Sequence, residues 1–157
     1  MTIHEMKPQR LKESLDLVWR VFLEFEAPDY SEQGVATFHE FIEYDAMAKR
    51  MQDGEISLWY ALEGEAVVGV VAVRPQVGQA DSQTHPHISL LFVEKTHHKK
   101  GIARRLVETA TRGHTTVTVN SSPYAVEIYK RLGFMPTACE QLQSGIRYTP
   151  MKRGENE

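Results

Sequence analysis

The sequence has one cysteine, no apolar run long enough to span a membrane, and no surplus of positive charge. Cys139 alone cannot close an internal disulfide, which fits a reducing compartment. Nothing near it in sequence supports a nucleophilic thiol, so it reads as a half-buried bystander. No stretch approaches the roughly 20 apolar residues of a membrane-spanning helix. The N-terminus MTIHEMKPQR lacks the apolar core of a secretory signal, so the expected setting is the cytoplasm, with no membrane partner. With 18 basic against 21 acidic residues the net charge is −3, whereas a dedicated nucleic-acid binder carries a basic surplus. Nucleic acid is not expected as a partner. Repeats, linkers and low-complexity segments are also missing. What remains is one ordinary soluble domain over residues 1–157, 41% hydrophobic and 25% charged.

The charges that are present are sorted along the chain. Lys99, Lys100, Arg104 and Arg105 lie together, while the stretch from Glu24 to Asp45 holds Glu24, Glu26, Asp29, Glu32, Glu40, Glu43 and Asp45 with no Lys or Arg. One chain thus carries a local attractor for anions and another for cations.

Periodicity gives a mixed α/β order. Thr2–Met6 alternates and reads as a strand ended by Pro8. Leu11, Leu15, Val18, Phe22 and Phe25 mark an amphipathic helix to about Glu26. Pro28 stops it, Asp29 or Ser31 can cap the next, and Val35, Phe38, Phe41 and Ile42 carry that second helix, with room for a break, to Met51. ISLWYALE and AVVGVVAVRP form a hairpin about Gly64-Glu65. VGQADSQTHP is a polar loop, and HISLLFVEK is a strand apolar enough to be buried on both faces. A helix over Ile102–Arg112 and a strand at TTVTVN follow. SPYAVEIYKRLGF then has Ser122 as N-cap, Pro123 at the first helical position and Gly133 as stop. Residues Met135 to Met151 supply one or two closing strands. The expected fold is a single-domain α/β (α+β) structure, with a central twisted sheet of about six or seven strands flanked by about four helices.

THHKKGIARR lies between a strand and a helix. A helix that starts after a cationic, glycine-containing turn offers unpaired backbone N–H groups and the positive end of its dipole, which suits a pyrophosphate. Gly101 lets the backbone approach such a ligand and Ala103 keeps the first turn slim. The spacing is neither that of a Walker loop nor the three-glycine dinucleotide fingerprint.

His98-Lys99-Lys100-Gly101-Ile102-Ala103, directly after LLFVEKT, resembles the signature of the GCN5-related N-acetyltransferases: Arg or Gln, two residues, Gly, one residue, then Gly or Ala. His98 stands in the place of Arg or Gln, and Lys95 where a proline is common. Asn120 followed by SPYAVEIYKRLGF, with Tyr129, Gly133 and Phe134, resembles the second signature of the same family. The resemblance implies acetyl-coenzyme A as donor. It implies that the amides from His98 through Lys99, Lys100, Gly101 and Ile102 to Ala103 hold the pyrophosphate, with Arg104 beside them. Main-chain groups of Leu91, Phe92 and Val93 would pair with the pantetheine arm or polarise the thioester carbonyl, Asn120 would bond the arm, and Tyr129 would sit beside the sulfur as the acid for the leaving thiolate.

The base is open at this level. The resemblance points six residues before Val93, to His87, which regular alternation would place on one face with Ser89, Leu91 and Val93. Glu26 and Asp29 are the alternatives, in a segment that walls the acceptor side in this family; its acids would favour a cationic small amine or a peptide N-terminus. Plainer readings stand beside these. Tyr129 shares a helical stripe with Ala125, Ile128 and Leu132, as a core aromatic would. His85, His87, His97 and His98 lack a carboxylate or Cys at a metal-binding spacing, so no metal is expected. A non-catalytic acyl-coenzyme A sensor of the same fold needs the anion turn but neither Tyr129 nor a base. Family habit allows a monomer or a homodimer.

Overall fold

The structure, a computed structural model, describes residues 1–78 and 84–154. The first strand, β1 (Thr2–Glu5), leads into α1 (Pro8–Phe25), whose first turn carries the proline. A 3-10 turn at Ala27–Asp29 separates it from α2 (Glu32–Phe41). The expected break in the second helical segment is real: Glu43 accepts from the Asp45 and Ala46 amides, each at 3.0 Å, and starts α3 (Tyr44–Gln52). Strands β2 (Ser57–Glu63) and β3 (Ala66–Val77) form the hairpin about Gly64-Glu65. Strand β4 (Thr84–Val93) and a 3-10 turn at Lys95–His97 precede α4 (Ile102–Ala110), β5 (Val117–Ser121) and α5 (Val126–Arg131). The tail makes β6 (Met135–Pro136), β7 (Gln141–Gln143) and β8 (Ile146–Arg153).

Among the described residues there are eight strands and five α-helices, slightly more than expected, because the tail makes three short strands and the second helix is split. The polar loop expected at Val77–Pro86 is shorter than foreseen. β3 runs to Val77 and β4 starts at Thr84, while residues 79–83 lie outside the described residues. Ser122 caps as expected, accepting from the Ala125 amide at 3.3 Å, but it closes a turn and the α-helix begins only at Val126. Cys139, expected to be half-buried, is exposed.

Sheet order is β1-β2-β3-β4-β5-β8-β6, with β7 on β8, and among the described residues the single parallel neighbours are β4 and β5. β3 is apolar throughout because both its faces are covered. Val70 and Ala72 pack with Leu90 and Phe92 under α1–α3, and Val71 and Val73 pack with Ile88, Leu106 and Tyr129 under α4 and α5.

Two features fix the segment between α1 and α2. The Arg20–Glu94 and Lys95–Glu24 pairs, the latter at 2.9 Å, join α1 to the turn after β4. The tip of the β7–β8 hairpin docks on α2: Thr37 Oγ1 donates to the Ser144 carbonyl at 2.9 Å, and Arg147 Nη1 donates to the Asp29 carbonyl at 3.1 Å. There the backbones of Gly34 and Gly145 touch. A Cβ on Gly34 would lie 2.2 Å from the Gly145 oxygen, and Gly145 has φ +80°. Gly34→Ala is therefore expected to push the hairpin off α2 and to cost about 1–3 kcal/mol, as overpacking does. Chemical denaturation checks this; an unchanged midpoint would show that the contact carries no stability.

Candidate active site

The parallel β4–β5 pair is brief. His87 pairs with Thr118 and Ile88 with Val119; beyond them the two strands part. β4 runs on to Val93, so its main chain there faces a gap instead of a strand. A parallel pair that opens in this way can admit an extended ligand arm as an added strand. The gap is part of a cleft of ≈ 730 Å³. Leu91, Phe92 and Val93 line one wall, and Ala125, Ile128 and Tyr129 the other. His97, His98, Lys99 and the first turn of α4 form one end, and Val21 and Glu26 come in from the end of α1.

The α4 end is built for an anion. Gly101 is the N-cap with φ 80° and no side-chain cap, and Lys99 also has positive φ, at 64°. The Arg105 amide bonds the Gly101 carbonyl at 3.1 Å, which leaves the amides of Ile102, Ala103 and Arg104 without helical partners. A Cβ on Gly101 would meet nothing within 4 Å, so the dihedral rather than crowding demands glycine, and the space before the turn is open. These residues fit a pyrophosphate. Gly101→Val forces a β-branched residue into left-handed backbone, at about 1–2 kcal/mol. Calorimetry is expected to show coenzyme A binding weakened roughly tenfold; unchanged affinity would remove the turn from the donor site.

The His98 imidazole is spent on structure. Its Nε2 donates to the Val93 carbonyl at 2.8 Å, and its ring lies 5.2 Å from that of Phe25, which in turn lies 5.1 Å from Tyr124. This imidazole closes the turn onto the end of β4. Arg104 lines the cleft and also donates to the Arg131 carbonyl at 2.8 Å, tying α4 to the end of α5. Lys100 is exposed and outside the lining. So is Asn120 of β5, which pairs with Pro150 of β8 and alternates with the buried Val119 and Ser121.

At the other end Glu26, Tyr124 and Tyr129 meet. Glu26 is half-buried. Burial pushes its carboxyl up to about 7, the nearby Ser122 hydroxyl pulls it back, and the charge of Asp29 raises it again. Tyr129 is 5% exposed and packs edge-on against Phe134, with ring centroids 5.5 Å apart. Burial and, after it, the Glu26 charge hold its hydroxyl firmly protonated. Tyr124 is raised by burial, then by Glu26 and Glu24. Asp29 itself is exposed and does not line the cleft.

The face-sharing expected for His87 is broken by a bulge. Ala72 pairs with Leu90 but Val73 with Ile88, so Ser89 is an extra residue on β4. The bulge reverses alternation: Ile88 joins the core beneath α4 with Leu91 and Val93, and His87 is carried to the opposite face. There it is 6% exposed, outside the cleft lining, with Nδ1 2.8 Å from Thr118 Oγ1. Burial, then the nearby Arg74 and His85, lower its pKa to about 4, which leaves little affinity for a proton at neutrality. The four histidines of the metal alternative are dispersed. His85 and His87 share Thr118, His97 pairs with Glu63, and His98 holds Val93.

The acidic stretch is dispersed too. Glu24 pairs with Lys95 and Glu43 caps α3, and of the seven acids Glu26 alone lines the cleft. Pattern reading missed Tyr124. The Ser-Pro-Tyr run marks a helix start, and only the tertiary fold brings it against Glu26.

The sequence model of the acetyltransferase (GNAT) domain matches residues 26–154. The chain therefore belongs to the GNAT acetyltransferase family, whose class chemistry is acyl transfer from acetyl-coenzyme A. Solved structures share its fold. The PaiA N-acetyltransferase of Thermoplasma acidophilum in complex with coenzyme A is 13% identical with a TM-score of 0.73, over 99% of this chain and 100% of that one. A GCN5-related N-acetyltransferase from Rhodopseudomonas palustris is 17% identical with a TM-score of 0.74, over 98% and 95%. An aminoglycoside 6'-N-acetyltransferase complexed with coenzyme A is 18% identical with a TM-score of 0.66, over 98% and 97%. A search of curated protein sequences finds no match.

Proposed function

We propose that this chain moves the acetyl group of acetyl-coenzyme A onto a primary amine, with Glu26 as proton acceptor and Tyr129 as proton donor. The observation that carries this is one cleft with an anion turn at one end and, at the other, a carboxylate poised near pH 7 beside a protonated phenol. An alkylammonium must lose a proton before it can attack. A base with a pKa near the working pH is best placed to take it, directly or through one water. The neutral nitrogen then attacks the thioester carbon, and the Phe92 or Val93 main-chain amide meets the developing oxyanion. The C–S bond breaks, and the sulfur takes a proton from Tyr129. Two protons leave the nitrogen in all: one restores the Tyr129 hydroxyl, and the other passes through Glu26 to solvent.

The acceptor we propose is a small amine or a peptide N-terminus that presents one ammonium group. Besides Glu26, Glu127 is the other acid among the lining residues, so a polycation finds little to match it. The names of the aminoglycoside and PaiA neighbours support nitrogen as the acceptor atom. The single cysteine supports a cytoplasmic setting, and among the described residues no helix is long and apolar enough to cross a membrane.

The test is thiol release from acetyl-coenzyme A with monoamines, polyamines, aminoglycosides and peptide N-termini, paired with product mass. Amine-dependent release with acetylated product is expected, and monoamines should exceed polyamines. Coenzyme A binding without release across the panel would make this a sensor instead.

A further inference from the structure

We propose that Arg147 is a positioning residue for acyl transfer: it ties the β7–β8 hairpin to the turn between α1 and α2 and so holds Glu26 in the lining of the cleft. Arg147 acts in this way only through Glu26, so the inference rests on the proton acceptor proposed above.

Glu26 lines the cleft from the point where α1 ends. On the helix side it is well anchored. Its amide bonds the Phe22 carbonyl at 2.9 Å, and the Arg20–Glu94 and Lys95–Glu24 pairs tie α1 to the turn after β4. On the other side the chain makes a single 3-10 turn. There the Asp29 amide bonds the Glu26 carbonyl at 3.0 Å, and the Tyr30 amide bonds the Ala27 carbonyl at 2.9 Å. Hydrogen bonds in such a turn have poorer geometry than those of an α-helix, so its place depends on neighbours. The Asp29 carbonyl lies outside the turn's own bonds, and Arg147 Nη1 donates to it at 3.1 Å. Asp29 therefore links Arg147, through its carbonyl, to Glu26, through its amide.

The guanidinium is itself aimed. Nε and Nη2 donate to the two carboxylate oxygens of Glu140 at 3.0 and 3.3 Å, a forked pair that fixes the plane of the group and leaves Nη1 for Asp29. Arg147 lies on β8 opposite Leu142 of β7. Ser144 and Gly145, at φ 53° and 80°, join the two strands in a two-residue turn of the hand that suits a twisted hairpin. The hairpin has other contacts to keep it docked, because Thr37 holds Ser144 and the backbones of Gly34 and Gly145 touch. A part-exposed ion pair such as Arg147–Glu140 adds little to stability. What Arg147 contributes is the place of the turn.

The experiment is steady-state kinetics for the acceptor amine in Arg147→Met and Arg147→Lys, each alone and combined with Glu26→Gln, with coenzyme A affinity and melting temperature measured on the same proteins. Methionine keeps much of the side-chain stem and removes every donor. Arg147→Met is expected to lower kcat/KM by about 10- to 100-fold, mostly in kcat, the scale of a catalytic group displaced by about 1 Å. Coenzyme A affinity and melting temperature stay near those of wild type, since the anion turn and the other hairpin contacts are untouched. One ammonium cannot serve a carboxylate fork and the Asp29 carbonyl together, so Arg147→Lys falls in the same direction. It carries the comparison if the methionine variant folds poorly. In the Glu26→Gln background neither substitution lowers the rate further, because residues that act through one another are not additive. Full kcat/KM in both Arg147 variants, with Glu26→Gln impaired, overturns the role of Arg147 and leaves Glu26 standing as the base. Losses that multiply in the combined variants, or an equal loss of coenzyme A affinity, also overturn it, since Arg147 would then act on the fold at large. Full activity in Glu26→Gln overturns both.

Discussion

Glu26→Gln is expected to lower kcat/KM for the acceptor amine by about 10²–10⁴-fold, the usual reach of a positioned base, and to remove the fall in activity below about pH 7. Glutamine keeps the size of the side chain, so coenzyme A affinity should be unchanged. Stability gives a second readout. The carboxyl has its pKa raised from 4.5 to about 7 on folding. Between those values the folded state keeps a proton that the unfolded state has lost, so stability declines as pH rises through this window and stays lower above it. The glutamine variant escapes that loss. It is expected to melt higher than wild type at pH 8, with the advantage shrinking as pH approaches 4.5. A variant that is slower yet more stable at pH 8 is the signature of a strained catalytic group. Equal activity in both proteins would remove Glu26 from the chemistry.

Tyr129→Phe is expected to lower kcat by about 10²-fold or more while leaving the melting temperature near that of wild type. The ring fills the core beside Phe134 and its edge-on contact survives the change, so only the hydroxyl is lost. Donor affinity should hold, because the anion turn is untouched. Tyr129→Ala tests the core role separately. It leaves a cavity and should cost about 3–5 kcal/mol, whatever happens to the rate. If Tyr129→Phe kept full kcat, the thiolate would be leaving unaided or through another donor, and Tyr129 would be a core residue that borders the cleft.

Much of the fold was legible because its elements have strong local signals. The apolar run of β3 needs two covered faces, and the two helical layers provide them. The turn at Gly101 could be read from one glycine among cations between a strand and a helix, and its φ of 80° explains the glycine. The base could not be read so. Alternation carried His87 onto the face of Leu91 and Val93, but one extra residue at Ser89 reverses the pattern, and nothing in HISLLFV announces a bulge. The acids between Glu24 and Asp45 looked like one field. Their separation depends on tertiary partners, such as Lys95 for Glu24 and helix amides for Glu43. What sets Glu26 apart is its place in the cleft that Tyr129 also lines, from about a hundred positions away. Such a contact leaves no local trace in a sequence.

The central claim is that the cleft holds a carboxylate able to exchange a proton at neutral pH. Carbon-13 NMR of the glutamate carboxyl groups, with Glu26 identified by its absence from Glu26→Gln, measures it directly. Glu43, whose carboxylate accepts two backbone amides and is held below the ordinary value, serves as an internal contrast. A Glu26 midpoint of about 7 is the expected result; a midpoint in the ordinary carboxylate range, near 4.5, would contradict it.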